Sequence, residues 1–292
     1  LNYAKISSMA VDPIEKKPLY HFHPGSSVFS VGTWGCNFHC RGCQNWEIAC
    51  PETDESLHRS RELPPEQAVE MALEAGCSGI AWTYNEPSVW LEYTLETAKL
   101  AKNRGLYTVY VTNGYASAEQ LEVIGPYLDG WRVDVKGFSD AAYREIGRIP
   151  HFAGILRIAE QAARQWGMHL EVVTNIIPGV NDDDAQLAGI AGWIAAELSR
   201  MTPWHVTRFY PRRNMQHHEV TPPATLERAR RLGRAAGLEF VYLGNLPGNE
   251  YSNTVCYRCG REVVSRSGFS AVVSGLDGTR CRYCGAELNF RI

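Results

Sequence analysis

VFSVGTWGCNFHCRGC, residues 28–43, sets a β-branched and aromatic run directly before three cysteines. Val28–Trp34 reads as a strand, and Cys36, Cys40 and Cys43, spaced x3 and x2, fall in the loop that leaves it. Three soft thiolates in one short loop suit an iron-sulfur cluster. Four-cysteine patterns close all four irons, whereas three leave one iron open, which turns an electron carrier into a catalyst. Two other readings of the loop stand beside this one. Cys50, seven residues past Cys43, could be a fourth ligand, and His39 could complete a zinc site with the three cysteines.

Outward from this stretch, strand-like runs recur at Gly79–Thr83, Tyr107–Thr112, Gly130–Val135, Leu170–Ile177, His205–Phe209 and Phe240–Leu243. Helical periodicity falls between them at Pro65–Ala75, Val89–Lys102, Asp182–Ser199 and Ala224–Ala236. Ser88, Asn181 and Thr221 (with Pro222 and Pro223) are the expected N-terminal caps of the last three, and Gly76, Gly105 and Gly237 sit just past helix ends. This alternation predicts an α/β fold, a partial (β/α)6-type TIM barrel with its chemistry at the strand C-terminal ends. The polar clusters GCNFHCRGCQNW, TYNEP, TNGY, DVKG and IIPGVND all fall at those ends.

Beyond about Tyr251 the alternation stops, and a tail with six arginines and three acids follows. In it Cys256-x2-Cys259-x21-Cys281-x2-Cys284, each pair followed by glycine, predicts a zinc-ribbon-like appendage of two knuckles closing a four-thiolate site. An auxiliary iron-sulfur cluster on the same thiolates is the alternative. The expected organisation is an N-terminal extension over 1–27, a barrel over 28–250 and the tail over 251–292.

With 292 residues, 45% of them apolar, the chain can bury a full core. A net charge of −3 gives no global field for gripping nucleic acid, and no run approaches the ~18 apolar residues of a membrane span. The start has no apolar h-region, so the expected location is the cytoplasm, where nine cysteines serve metals rather than disulfides. The chain opens on Leu1, and it is expected to be a fragment of a longer reading frame.

Alternation along the fourth strand puts Asp134 and Lys136 on one side, where inward charges must bind a ligand or pair with each other. Glu86 is the one acid of TYNEP, and its plain reading is a loop residue neighbouring the cap of the next helix. His205, Arg208 and Tyr210, with the run Arg212–His218, are candidates to face a substrate; a solvated polar loop is the plain alternative.

Cys36-x3-Cys40-x2-Cys43 after a first strand resembles the signature of the radical S-adenosylmethionine superfamily. The resemblance implies a 4Fe-4S cluster whose open iron chelates S-adenosylmethionine, and reductive cleavage to a 5′-deoxyadenosyl radical that abstracts hydrogen from a substrate. It places Asn85 and Glu86 at the methionyl ammonium, Asn113, Asp134 and Lys136 at the ribose and carboxylate, and Asn175 with the Ile177-Pro178-Gly179 turn beside the adenine. The residue before the third cysteine is usually aromatic and lies near the adenine; here it is Gly42. VDPIEKKPLYHFHPG, TPWHVTRFYP and PGNEYSNT extend the likeness to the AmmeMemoRadiSam-system enzymes, relatives of the pyruvate formate-lyase activating group. That branch implies an electron donor such as ferredoxin or flavodoxin, and Memo-type and AMMECR-type partners. It also implies a further cysteine-containing segment ahead of residue 1. A glycyl-radical-enzyme activase acting on a protein glycine is the second reading, and a zinc-binding protein-interaction module is the reading of another class.

Overall fold

Ser27–Gly32 buries five of its six residues, as a strand covered on both faces must. A computed structural model describes residues 2–51 and 60–292. In chain order the strands are β1 (Lys5–Ile6), β2 (Ser8–Pro13), β3 (Ser27–Gly32), β4 (Arg61–Glu62), β5 (Gly79–Trp82), β6 (Tyr107–Thr112), β7 (Gly130–Asp134), β8 (His169–Ile176), β9 (Trp204–Arg208) and β10 (Val241–Gly244). Eight of them form one sheet ordered β10-β9-β8-β7-β6-β5-β3-β2, and β1 pairs with β4. Every pairing from β3 to β10 is parallel; β2 runs antiparallel along β3.

All seven strand-like runs lie in this partial barrel, which carries a seventh parallel strand beyond the six of the expected pattern. Strand β2 was not legible. It ends in Pro13, buries one residue of six and takes the edge, where a missing N–H is tolerated. Helices Pro65–Glu74, Leu91–Asn103, Asp184–Trp193 and Pro223–Ala235 occupy the segments read as helical. Ala118–Ile124, Asp140–Gly147 and Ala153–Arg164 fill the remaining crossovers.

The three expected caps are elsewhere, and each displaced residue does something else. Glu86 accepts from the Ser88 amide at 3.1 Å and opens the 3-10 turn Pro87–Trp90. Asp183, not Asn181, caps Asp184–Trp193. Asn181 is fully buried and spans two strand ends: its Oδ1 accepts from Ile177 N, and its Nδ2 donates to the carbonyls of Lys136 and Asn175. Pro222 precedes the fourth helix, while Thr221 Oγ1 accepts from Phe209 N and donates to Ile176 O, tying β8 to the segment after β9.

Residues 14–22 cross the N-terminal end of the barrel. Ile14, Leu19 and Phe22 pack with Val28, Ala81, Tyr107 and Val109 there, and His21 N donates to Glu171. The tail folds as a sheet of β11 (Thr254–Val255), β12 (Glu262–Ser267) and β13 (Ser270–Val273) and a hairpin of β14 (Leu276–Asp277) and β15 (Arg280–Cys281). It shares one apolar core with the barrel, in which Cys256, Val263, Val264, Leu288 and Phe290 pack with Tyr20, Phe240 and Tyr242. Arg266 donates to the Tyr20 carbonyl and lies 4.0 Å over that ring. No helix of the described residues is long and apolar enough to cross a membrane.

Candidate functional site

A cavity of ≈ 510 Å³ opens at the C-terminal ends of the strands, and each of the five polar clusters read from the sequence contributes to its wall. Cys36, Cys40 and Cys43 all line it. Their loop is fixed on three sides. Arg41 N and His39 N donate to the carbonyls of Ile146 and Gly147, closing it onto helix Asp140–Gly147. Phe38 is buried beneath it, and a Cβ on Gly147 would stand 3.0 Å from that ring. Asn45 Nδ2 donates to the Tyr84 carbonyl at 2.8 Å. Tyr84 itself holds φ +73, and its close approach to β3 requires Gly32, where a Cβ would lie 2.7 Å from the Thr83 carbonyl.

Burial pushes the Cys36 thiol up to about 12, with Glu86 adding to it, and the Cys43 thiol up to about 11. Cys40 rises for the same reason, against the pull of Lys136. Bare thiolates are therefore disfavoured, and a bound metal centre reverses that balance. Phe38 N at 3.4 Å and Asn113 Nδ2 at 3.7 Å approach the Cys36 sulfur. Cys50 is not among the lining residues; its sulfur stands 3.7 Å from His39 Nδ1, which turns that imidazole toward Cys50. Cys77 is buried in the core. The cavity wall thus offers three thiols, a donor set that fits a cluster with one open iron.

Asn85 does not face the cavity with a free amide. Its Oδ1 accepts from Thr33 N at 3.2 Å and its Nδ2 donates to Gly35 O at 2.7 Å. Glu86, 1% exposed, accepts from Ser88 N and Thr112 Oγ1 on Oε1 and from Asn113 N on Oε2, joining the ends of β5 and β6. Burial raises its pKa against these donors. The Ser88 side chain adds a further hydrogen bond, so the carboxylate is held firmly where its residue lines the cavity.

Lys136 Nζ pairs with Asp134 Oδ2 at 3.0 Å, and Arg132 pairs with Oδ1 at 2.6 Å. Burial works against the Asp134 carboxylate, but the two cations hold it below the usual range. Arg132 was missed, although the alternation that selected 134 and 136 also selects 132. Asn175 lines the cavity with a buried Oδ1 that has no hydrogen-bond partner.

The position beside Gly42 is filled from elsewhere. A Cβ there would meet Met215 Sδ at 3.1 Å and the Phe209 ring at 3.3 Å, so the loop after β9 supplies the apolar surface that the missing aromatic would have given.

The structure sets the three substrate candidates apart from the cavity lining. His205 is buried below the cavity, its Nε2 2.6 Å from Glu171 Oε2, because it falls near the start of β9 rather than at its end. Arg208 and Tyr210 turn to each other and to the backbone of Thr221 and Asn245, outside the lining. Within 212–218, Met215 alone lines the cavity. Lys16, Lys17, Asn245 and Phe269 line it without having been read from the sequence; Phe269 stands at the turn between β12 and β13.

In the tail, the sulfurs of Cys256, Cys259, Cys281 and Cys284 lie within 4.8 Å of one another, with Cys256 to Cys284 at 3.6 Å and Cys259 to Cys281 at 3.7 Å. Zinc bonds of ~2.3 Å in a tetrahedron require sulfurs about 3.8 Å apart. Gly260 and Gly285 take φ +71 and +72, and the amides after Cys256 and Cys281 turn toward those sulfurs.

The family model of the Radical SAM superfamily matches residues 31–189. An uncharacterized protein of Methanocaldococcus jannaschii is 39% identical over 291 residues, 99% of this chain and 85% of that one. An isethionate sulfite-lyase activating enzyme of Nitratidesulfovibrio vulgaris is 28% identical over 130 residues, 44% of this chain and 42% of its own. A radical SAM methyltransferase from Sphaerobacter thermophilus has the same fold with a TM-score of 0.55 at 17% identity, over 76% of this chain and 67% of that one. A domain of pyruvate-formate lyase-activating enzyme from Bacteroides vulgatus gives a TM-score of 0.50 at 15% identity, over 57% and 99%.

Proposed function

This chain belongs to the Radical SAM superfamily, and on that premise we propose that Cys36, Cys40 and Cys43 hold its 4Fe-4S cluster at the cavity rim. The chain is an enzyme of reductive S-adenosylmethionine cleavage and needs an electron donor. When bound, the cluster supplies the electron that splits the sulfur–carbon bond to methionine and a 5′-deoxyadenosyl radical, which abstracts hydrogen from the substrate. The observation that carries the assignment of ligands is the convergence of these three thiols on one cavity, with Cys50 and His39 turned to each other.

The other residues then take positions around the cofactor. The Glu86 carboxylate meets the methionyl ammonium, and Lys136, steered by Asp134, takes the methionyl carboxylate. Asn113 reaches the ribose side, and Asn175 Oδ1 finds its missing donor on the adenine. Phe209 and Met215 give the adenine an apolar face over Gly42. Asn85 is a positioning residue, acting through the backbone of the cysteine loop.

The tail carries zinc in this reading, supported by sulfur spacings near those of a tetrahedral site. The finer placement is the AmmeMemoRadiSam branch, with Memo-type and AMMECR-type partners and ferredoxin or flavodoxin as donor. An activase acting on a protein glycine is the second reading, supported by the likeness to the isethionate sulfite-lyase activating enzyme over part of its length. A non-catalytic zinc-binding module is set aside by the family match. The experiment is anaerobic reconstitution with iron and sulfide, followed by dithionite and S-adenosylmethionine. Release of 5′-deoxyadenosine that disappears in Cys40→Ala is expected; full activity in that variant overturns the ligand assignment.

A further inference from the structure

The inner part of the cavity is chemically unlike its rim. Arg132 lies two residues below Asp134 on β7, roughly 7 Å nearer the N-terminal end of the barrel. Across from it, the turn after β2 brings Lys16 and Lys17 to the wall. Lys17 is 3% exposed; its Nζ stands 2.6 Å from Asp12 Oδ2 and 4.8 Å from the centre of the Tyr84 ring. Asp12 is shared, since Lys16 takes its Oδ1 at 2.6 Å and the Tyr84 hydroxyl donates to its Oδ2 at 2.9 Å. Burial above all, with Lys16 and Arg132 adding, presses the Lys17 ammonium below its ordinary pKa despite Asp12.

The hydrogen-bond donors of this wall are not all satisfied. Lys17, Arg132 and Lys136 line the cavity beside Glu86 and Asp134, with Asp12 behind them and the half-exposed Lys16 at its edge. Arg132 Nε is buried without a hydrogen-bond partner. Lys17 has three ammonium protons and one carboxylate oxygen to receive them. Buried donors left without acceptors are costly unless an anion meets them. The sheet order leaves the barrel open between β2 and β10, and Lys16, Asn245 and Phe269 line the cavity on that side.

We propose that Lys17 and Arg132 form an anion subsite that takes a carboxylate or phosphate group of a small-molecule substrate entering between β2 and β10. The inference rests on the reading above in one respect: Asp134 and Lys136 are taken as belonging to S-adenosylmethionine, which leaves to the substrate Lys17 and the part of the Arg132 guanidinium that Asp134 does not engage. A guanidinium edge beside an ammonium matches either oxyanion.

Calorimetry on the reconstituted holoenzyme saturated with S-adenosylmethionine tests it, with inorganic phosphate in one arm and succinate in the other. One saturable site for at least one anion is expected, and the arm that binds names the group. Arg132→Met should weaken that binding at least tenfold, and Arg132→Lys should keep most of it. Because Lys17→Met alone would leave the buried Asp12 with only Lys16 and the Tyr84 hydroxyl, the paired variant Asp12→Asn with Lys17→Met is used, checked for folding by circular dichroism; it too should lose at least tenfold. Absence of saturable binding in both arms, or parental binding in both loss variants, overturns the subsite. Loss of S-adenosylmethionine affinity in step with the anion overturns it as well, by assigning these residues to the cofactor. Failure of the parent enzyme to release 5′-deoxyadenosine would instead count against the cluster ligands, and the anion titration would still read the subsite.

Discussion

Asn85 and Gly35 are joined by a 2.7 Å hydrogen bond from the side-chain amide to the main-chain carbonyl, and the other end of the same amide holds Thr33 N. One side chain on the segment after β5 thus sets the path of the chain into the cysteine loop. Asn85→Ala strands both backbone groups at a cost of about 1–3 kcal/mol. The expected outcome is a lower iron content after reconstitution and a lower melting temperature, measured by metal analysis and calorimetry.

Cys40→Ala should abolish 5′-deoxyadenosine release. Cys50→Ala and Cys77→Ala should leave iron content and absorbance near 400 nm unchanged, since one faces His39 and the other lies in the core. Loss of the cluster in Cys50→Ala would make Cys50 a ligand.

Glu86→Ala should weaken S-adenosylmethionine binding by about 1.5–3 kcal/mol while the cluster remains. The structure adds a second effect, because Ser88 N, Thr112 Oγ1 and Asn113 N all lose their acceptor. The melting temperature should therefore fall as well. Unchanged affinity beside lowered stability would leave Glu86 a purely structural cap.

His21 predicts an acid-sensitive fold. It is fully buried, with Nδ1 2.9 Å from Leu288 O and Nε2 2.6 Å from the Tyr242 hydroxyl, and burial lowers its pKa to about 3. The unfolded chain takes up this proton below 6.5 and the folded chain does not, so stability present above pH 6.5 is lost as pH falls toward 3. At pH 5 the loss is about 2 kcal/mol. His205, also lowered by burial, acts in the same direction. His21→Gln should flatten the slope of unfolding free energy against pH without removing it.

Metal analysis should find about one zinc and four irons per chain; about eight irons and no zinc would make the tail a second cluster. Cys259→Ser should lower stability while the cluster signal survives. Because Cys256 and Cys281 share a core with Phe240 and Tyr242, a chelator that strips the tail should lower the melting temperature of the barrel too.

Strand period and strand-end chemistry were legible in the sequence because both are local: hydrophobic runs of the right length, then loops dense in polar residues. The three cysteines were read from spacing alone, and the cavity brings them together. What was not legible depends on pairing between distant segments. Nothing in VDPIEKKP announces an antiparallel edge strand that delivers Lys17 to a wall shared with Arg132, 115 residues on. The depth of His205 was not legible either, since the sequence shows that β9 ends near Phe209 but not which inward layer a residue occupies. Phe209 escaped notice, and Met215 entered only as one of the run Arg212–His218, because only the fold sets them against Gly42.

The core shared by tail and barrel has a consequence for how the protein can be divided. Phe240 and Tyr242 sit on or beside β10, the last strand of the sheet, and the tail residues Val263, Leu288 and Phe290 cover them. A chain cut after residue 250 would keep every residue of the cavity except Phe269 but would bare aromatic rings alongside a strand with one unpaired edge. Such surfaces seek their own kind, and the shortened protein should come off a sizing column as soluble aggregates rather than as monomer.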